Sequence, residues 1–393
     1  MSAPAEPRPR RPLVLAVAAL LTVAGIAAAW WAIAELSEKP PEVGGLSSSI
    51  AYEGEPFSYV PNATQAGFWT LQTNASWLSV EPTSGRLSGT PPASGGSYYA
   101  ALTLTNANGT AELNLTITVK LRLVDDGGRE LVLDRPAERL ISLAPSNTEL
   151  LFALGVGGRV VGTAPFSDYP PEASEIPVVV SLGYLDTELI VTLEPDLIFA
   201  AGITSPAQRT QLEDLGLPTL VLEPKNLSGI VENIFLAGRA VGAQVAAQRL
   251  AENFTAGWEN VTRTLANVTS FPRTFYLMDT FGGYWTAGSG TFIDEFIREA
   301  GGTNIASEIS GWFIFSAENI TASDPEVIIL AAYAMVDETT FASDPFWGQL
   351  TAVKEGRVYR ITDQNLFDRP GPRLVMGLEI LAQWLHPEAY AAP

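Results

Sequence analysis

The sequence predicts an α/β protein of two similar lobes joined by one long helix, preceded by a small all-β sandwich and an N-terminal membrane-spanning helix. Three observations carry this. An uncharged run occupies Leu13 to Ala34. Short β-rich runs broken by Gly, Pro, Asn and Ser follow, from about Leu46 to Lys120. From Leu121 onward strand-like and helix-like patterns alternate, and parts of that alternation occur twice.

At 393 residues the chain suits two or three domains. The formal net charge of -20 makes nucleic acid an unsuitable partner, because its phosphates would be repelled. There is no cysteine, which removes disulfides, thiolate metal sites, cysteine nucleophiles and a lipidated cysteine anchor. The single histidine, His386, rules out a multi-histidine metal site. It reads as a solvated histidine at the end of a terminal helix, just before Pro387, rather than as a catalytic base. No metal site, cofactor or enzymatic activity is expected.

Residues 1–12 form a basic tail with Arg8, Arg10 and Arg11, and residues 13–34 are long enough to cross a bilayer as a helix. Trp30 and Trp31 sit near the far end, where aromatic rings favour the interface. Arginines before the run and Glu35 after it place the N-terminus inside and the remainder outside. Ala27, Ala28 and Ala29 also permit a cleaved signal; either way the rest of the chain is exported. Nine of the fourteen asparagines begin an Asn-x-Ser/Thr sequon: Asn62, Asn74, Asn108, Asn114, Asn226, Asn253, Asn260, Asn267 and Asn319. Chance would give about two, since Ser and Thr fill roughly one position in seven. Asn253, Asn260 and Asn267 recur every seven residues, so they should share one exposed helix face. A glycoprotein without disulfides points to an archaeal cell surface.

Residues 35–45 read as a linker and 46–120 as an immunoglobulin-like sandwich. In Ala111 to Lys120, Leu113, Leu115, Ile117 and Val119 alternate onto one face, the pattern of a half-buried strand. Ser76-Trp77-Leu78-Ser79-Val80 and Gly85-Arg86-Leu87-Ser88-Gly89-Thr90-Pro91 resemble the cadherin-like and Ig-like modules of surface proteins. The resemblance implies that Trp77 packs the core and that the module is a spacer; its few acids argue against a calcium site.

Residues 121–393 divide into lobe one at about 121–225, a backbone helix at about 228–268 and lobe two at about 270–393. Leu140 to Leu143 reads as a buried strand, and Ser146 or Asn147 can cap the helix that follows, through Leu154. Thr187-Glu188-Leu189-Ile190 leads to Pro195-Asp196-Leu197-Ile198-Phe199, as Ala317-Glu318-Asn319-Ile320 leads to Pro325-Glu326-Val327-Ile328-Ile329. Glu149 to Gly155 likewise parallels Glu295 to Gly301. Two such lobes create a cleft, a preferred place for a ligand. Gly155, Gly157 and Gly158 follow a helix rather than open one, so they do not read as a phosphate loop.

Ser142-Leu143-Ala144-Pro145-Ser146-Asn147-Thr148-Glu149, Phe166-Ser167-Asp168-Tyr169-Pro170-Pro171 and Glu194-Pro195-Asp196-Leu197-Ile198 together resemble the cobalamin-binding and iron-siderophore-binding proteins of ABC importers. The resemblance spans nearly all of Leu121 to Tyr390. It implies reversible capture of a corrinoid, with an iron-siderophore or haem as the alternative, and delivery to an ABC permease by a monomer. It implies that Glu188 and Glu318, one on each lobe, dock to the permease, although each also suits the start of a helix. It places Phe166 and Trp312, more loosely Tyr184, in the cleft. Asp363, Asn365, Asp368, Arg369 and Arg373 form a polar cluster in a Gly/Pro-rich turn, and Arg369 to Arg373 resembles the family's cleft segment, where arginine could bind ligand amides or carboxylates; Arg373 could instead pair structurally near Glu379. Ala200-Ala201-Gly202 stand where a further cleft tryptophan is common, which narrows the lead of the corrinoid. A surface adhesin remains the reading of another class.

Overall fold

The computed structural model describes residues 39–92, 95–181 and 183–391. The basic tail, the apolar run 13–34 and the first residues of the linker lie outside these, so the membrane expectation does too. Among the described residues no helix is long and apolar enough to cross a membrane. The chain divides into two compact units after Lys120.

In the first unit, Phe68–Thr73, Gly96–Asn106 and Gly109–Val124 pair antiparallel, and Ser48–Tyr52 runs parallel to the last of them. A second antiparallel sheet is made by Phe57–Tyr59, Leu87–Gly89 and Leu78–Val80. Trp69, Leu102, Leu104, Leu115, Ile117 and Val119 from the first sheet share one core with Phe57, Leu78 and Leu87 from the second. Trp77 packs edge-on against Phe57 and Tyr98, at 6.0 and 5.6 Å between ring centroids. Strand Gly109–Val124 is longer than its sequence pattern suggested, because Leu121 and Leu123 continue the buried alternation beyond Lys120.

The second unit holds two four-stranded parallel sheets with identical topology. In lobe one the order is Val160–Gly162, Leu140–Ser142, Leu197–Ala200, Thr219–Val221. In lobe two it is Thr303–Asn304, Arg273–Leu277, Val327–Leu330, Val358–Arg360. Numbered by appearance, both read 2-1-3-4, so the sequence repeat is a repeat of topology. Parallel strands are covered on both faces and therefore read as unbroken apolar runs. Leu197, Phe199 and Leu220 face one core while Ile141, Ile198, Ala200 and Val221 face another.

Three local expectations are corrected. The helix after the first strand spans Pro145–Ala153, with Ala144 as its N-cap and no side-chain cap; proline at the first position supplies the fixed φ instead. Asn147 is buried, and its Nδ2 donates to Ala200 O at 2.9 Å. The backbone helix is not continuous. It is a pair, Leu227–Ala240 and Gln244–Thr264, turned at Gly242, whose φ of +71° suits glycine. The pair approaches so closely that a Cβ on Gly238 would stand 2.4 Å from Ala247 Cβ. Asn253 and Asn260 are exposed on the second helix, whereas Asn267, also exposed, lies past its end. His386, finally, is 1% exposed rather than solvated. Its ring is held between Gly301 O at 3.0 Å and Glu388 Oε1 at 3.2 Å, which makes it a tie between the terminal helix and lobe two.

Candidate functional site

In an open parallel sheet, ligands bind beyond the carboxyl ends of the strands, where the strand order reverses. A 2-1-3-4 sheet reverses between its first and third strands. The four loops leaving those strands are Leu143-Ala144-Pro145-Ser146 and Ala201-Gly202-Ile203 in lobe one, and Met278 and Ala331-Ala332-Tyr333 in lobe two. Ala144, Ala201, Ile203, Met278 and Tyr333 all line one cavity of about 670 Å³. Both switch points thus open onto the same space. Phe292, Trp312 and Phe367 add aromatic wall.

Trp312 begins strand Trp312–Phe315, which pairs with Tyr284–Ala287 in a small antiparallel sheet on lobe two. Its ring is half exposed and meets Tyr276 edge-on at 6.3 Å. Arg369 lines the same cavity, but its guanidinium is already engaged. Nη1 donates to Glu149 Oε1 and to Asp168 Oδ1, and Nη2 to Phe166 O, each at 2.8 Å. Arg373 makes a bidentate contact with Glu149, Nε to Oε2 and Nη2 to Oε1, both at 2.8 Å. The same guanidinium stacks 3.6 Å over the Tyr169 ring. The side chain of Glu149 is only 2% exposed. It is therefore the buried counterion of two arginines that reach it from the other lobe.

The structure brings Trp312 and Arg369 to the cavity. Phe166, Tyr184, Asp363, Asn365 and Arg373 are not among its lining residues. Phe166 and Tyr184 are strongly exposed, at 81% and 78%. Phe166 also holds a φ of +65°, a strained conformation for a bulky residue, and its carbonyl is gripped by Arg369. Asp363 Oδ1 accepts from Asn365 N at 3.1 Å, and its other oxygen lies 3.7 Å from Arg373 Nη1, so this pair organises the turn.

Asp368, read from sequence as part of a polar cluster, and Tyr333, which was not singled out, complete the wall. Asp368 accepts from Gln364 Nε2 at 2.7 Å and from Tyr333 OH at 3.3 Å. Asp368 is exposed at the surface, but the protein packed around it partly desolvates its carboxyl and pushes it up, partly offset by those two donors. Burial, then the charge of Asp368, pushes the Tyr333 hydroxyl up to about 12. Tyr333 stands three residues after its strand, as Ile203 does in lobe one, so the repeat marked its position. Glu149 was visible as the counterpart of Glu295 and as the end of the motif at residues 142–149, not as a counterion.

Glu188 lies in the first turn of helix Thr187–Thr192 and Glu318 in the first turn of helix Ala317–Ser323. Both are exposed, and each helix leads into the third strand of its lobe. Their N-caps are filled by Asp186 and Ser316.

A family profile described as "Periplasmic binding protein" matches residues 140–365, and one described as "Putative Ig domain" matches residues 40–120. The chain is 27% identical, over 68% of its length and 85% of the relative, to the ABC transporter substrate-binding lipoprotein YvrC of Bacillus subtilis. The solved periplasmic vitamin B12 binding protein BtuF of Vibrio cholerae is 28% identical, with a TM-score of 0.56 over 65% of this chain and 99% of that one. The periplasmic haem-binding protein RhuT from Roseiflexus sp. RS-1 is 26% identical, with a TM-score of 0.58 over 64% and 99%. The resemblance read from residues 142–149, 166–171 and 194–198 is thereby borne out.

Proposed function

The chain belongs to the periplasmic binding protein family, and on that premise we propose that it captures a corrinoid outside the cell and passes it to an ABC permease. The observation that carries this reading is the single cavity onto which both switch points open, walled by Trp312, Phe292, Phe367 and Tyr333. A broad apolar ring fits such a wall, since aromatic side chains offer large flat contact area. The likeness to a vitamin B12 binding protein supports a corrin as that ring. Residues 13–34 tether the chain to the membrane, the N-terminal module spaces the receptor from it, and Glu188 and Glu318 form the two-point permease dock. The exposed sequons carry glycans.

Titration of tryptophan fluorescence with cobinamide, cobalamin, haemin and ferric siderophores tests the ligand. A corrinoid should bind most tightly. Trp312→Ala should weaken it about 30-fold, the equivalent of ~2 kcal/mol from burying roughly 80 Å² more of the ring. Tighter binding of haemin than of either corrinoid would replace the ligand while keeping the transport role. No response to any chelate would favour the adhesin.

A further inference from the structure

Four charged side chains line the cavity: Glu223, Lys225, Asp368 and Arg369. Lys225 Nζ pairs with Glu223 Oε1 while its side chain stays largely in solvent. Arg369 is shared between Glu149 and Asp168 and also holds the Phe166 carbonyl. Asp368 has no ion pair among the described residues; its partners are the neutral donors Gln364 and Tyr333. A carboxylate offers about four acceptor positions, so roughly half remain for a ligand.

Resting on the corrinoid reading, we propose that Asp368 is a specificity-determining residue, selecting a ring whose periphery carries amide N–H donors or positive charge over one that carries carboxylates. A primary amide at the rim of the ring can donate to Asp368. A ligand carboxylate in the same place meets a like charge, and the guanidinium of the adjoining Arg369 is already held by Glu149, Asp168 and the Phe166 carbonyl. The engagement of Arg369 is the reason the rule has this sign. Had Arg369 faced the ligand without Glu149 and Asp168, the wall would favour acids.

A matched pair of ligands tests this directly: cobinamide, with primary amides around the corrin, against cobyrinic acid, with carboxylates on the same ring. Affinities are read by fluorescence or calorimetry at fixed ionic strength and mildly alkaline pH, with a thermal melt to confirm folding. The wild-type chain should prefer cobinamide by about 100-fold, as expected when like charges are brought together. Asp368→Asn should cut that preference by about tenfold, mainly by improving binding of the acid. Equal wild-type affinities overturn the proposal whether or not the variant folds, and so does a folded Asp368→Asn with an unchanged ratio. If neither corrin binds, the corrinoid reading fails separately, and haemin judges the charge rule. Tighter binding of haemin than of its neutral dimethyl ester then overturns it; the reverse order sustains it.

Discussion

Replacing Glu149 by glutamine keeps the shape of the side chain and removes the charge that two arginines share. The side chains of Glu149, Arg369 and Arg373 are 2%, 10% and 16% exposed, so water cannot take over. After Glu149→Gln, Arg369 retains Asp168, which is 55% exposed, and Arg373 retains Asp363 at 3.7 Å. Breaking a buried pair by removing one partner costs about 3–5 kcal/mol. Because Asp168 still holds Arg369, the lower end applies, about 3 kcal/mol. For a unit of this size each kcal/mol moves the melting temperature by roughly 2–4 °C, so a drop of about 6–12 °C is expected. Urea unfolding at pH 7 and calorimetry measure it. Replacing all three residues by methionine should be less damaging than Glu149→Gln alone, because no charge is then stranded. A loss below about 1 kcal/mol in the single variant would show that water or a relaxed Asp363 satisfies the guanidiniums, and would refute the reasoning.

Charge reversal at both Glu188 and Glu318 should leave corrinoid affinity unchanged and stop uptake by cells that carry the permease; uptake at the wild-type rate would remove both from the docking surface. Glu338 answers to acid. Its hydrogen bonds from Arg360 hold its carboxyl down to about 2, below the ordinary value of 4.5. A depressed carboxyl stabilises the fold above its unfolded pKa and loses that contribution as pH falls through the folded one. Stability should therefore fall between pH 4.5 and about 2, and Glu338→Gln should flatten that part of the curve in acid-unfolding scans.

Much of the receptor was legible because its information is local. Buried parallel strands announce themselves as apolar runs such as Leu197-Ile198-Phe199, and two copies of one unit expose themselves by shared spacing around Glu188 and Glu318. Gly242 hid the break in the backbone helix, since one glycine in a helical pattern is tolerated and only its positive φ makes it a turn. Pro145 hid the helix start, because the sequence offered Ser146 and Asn147 as more familiar caps. The arginine cluster was least readable. Arg369 read as ligand-facing and Arg373 as either ligand-facing or paired near Glu379, but their partner Glu149 lies more than two hundred residues away. Neither spacing nor composition encodes a contact of that range. For the same reason Asp368 read only as one member of a polar cluster until Arg369 was found to be engaged elsewhere.

The identical strand order of the two lobes separates what must be kept from what can be changed. Cores such as Ile141, Ile198 and Val221 lie within the sheets, whereas the cavity is lined by the loops that leave them. Exposed cavity residues in those loops, such as Ile203 and Tyr333, can change without touching the sheet cores, whereas Leu222, Ile293 and Phe367 serve core and cavity at once. A lineage can thus drift from one large ring to another through a few tolerated steps at the rim. Solved structures of similar fold carry the names of a vitamin and of a haem, as such drift would leave behind.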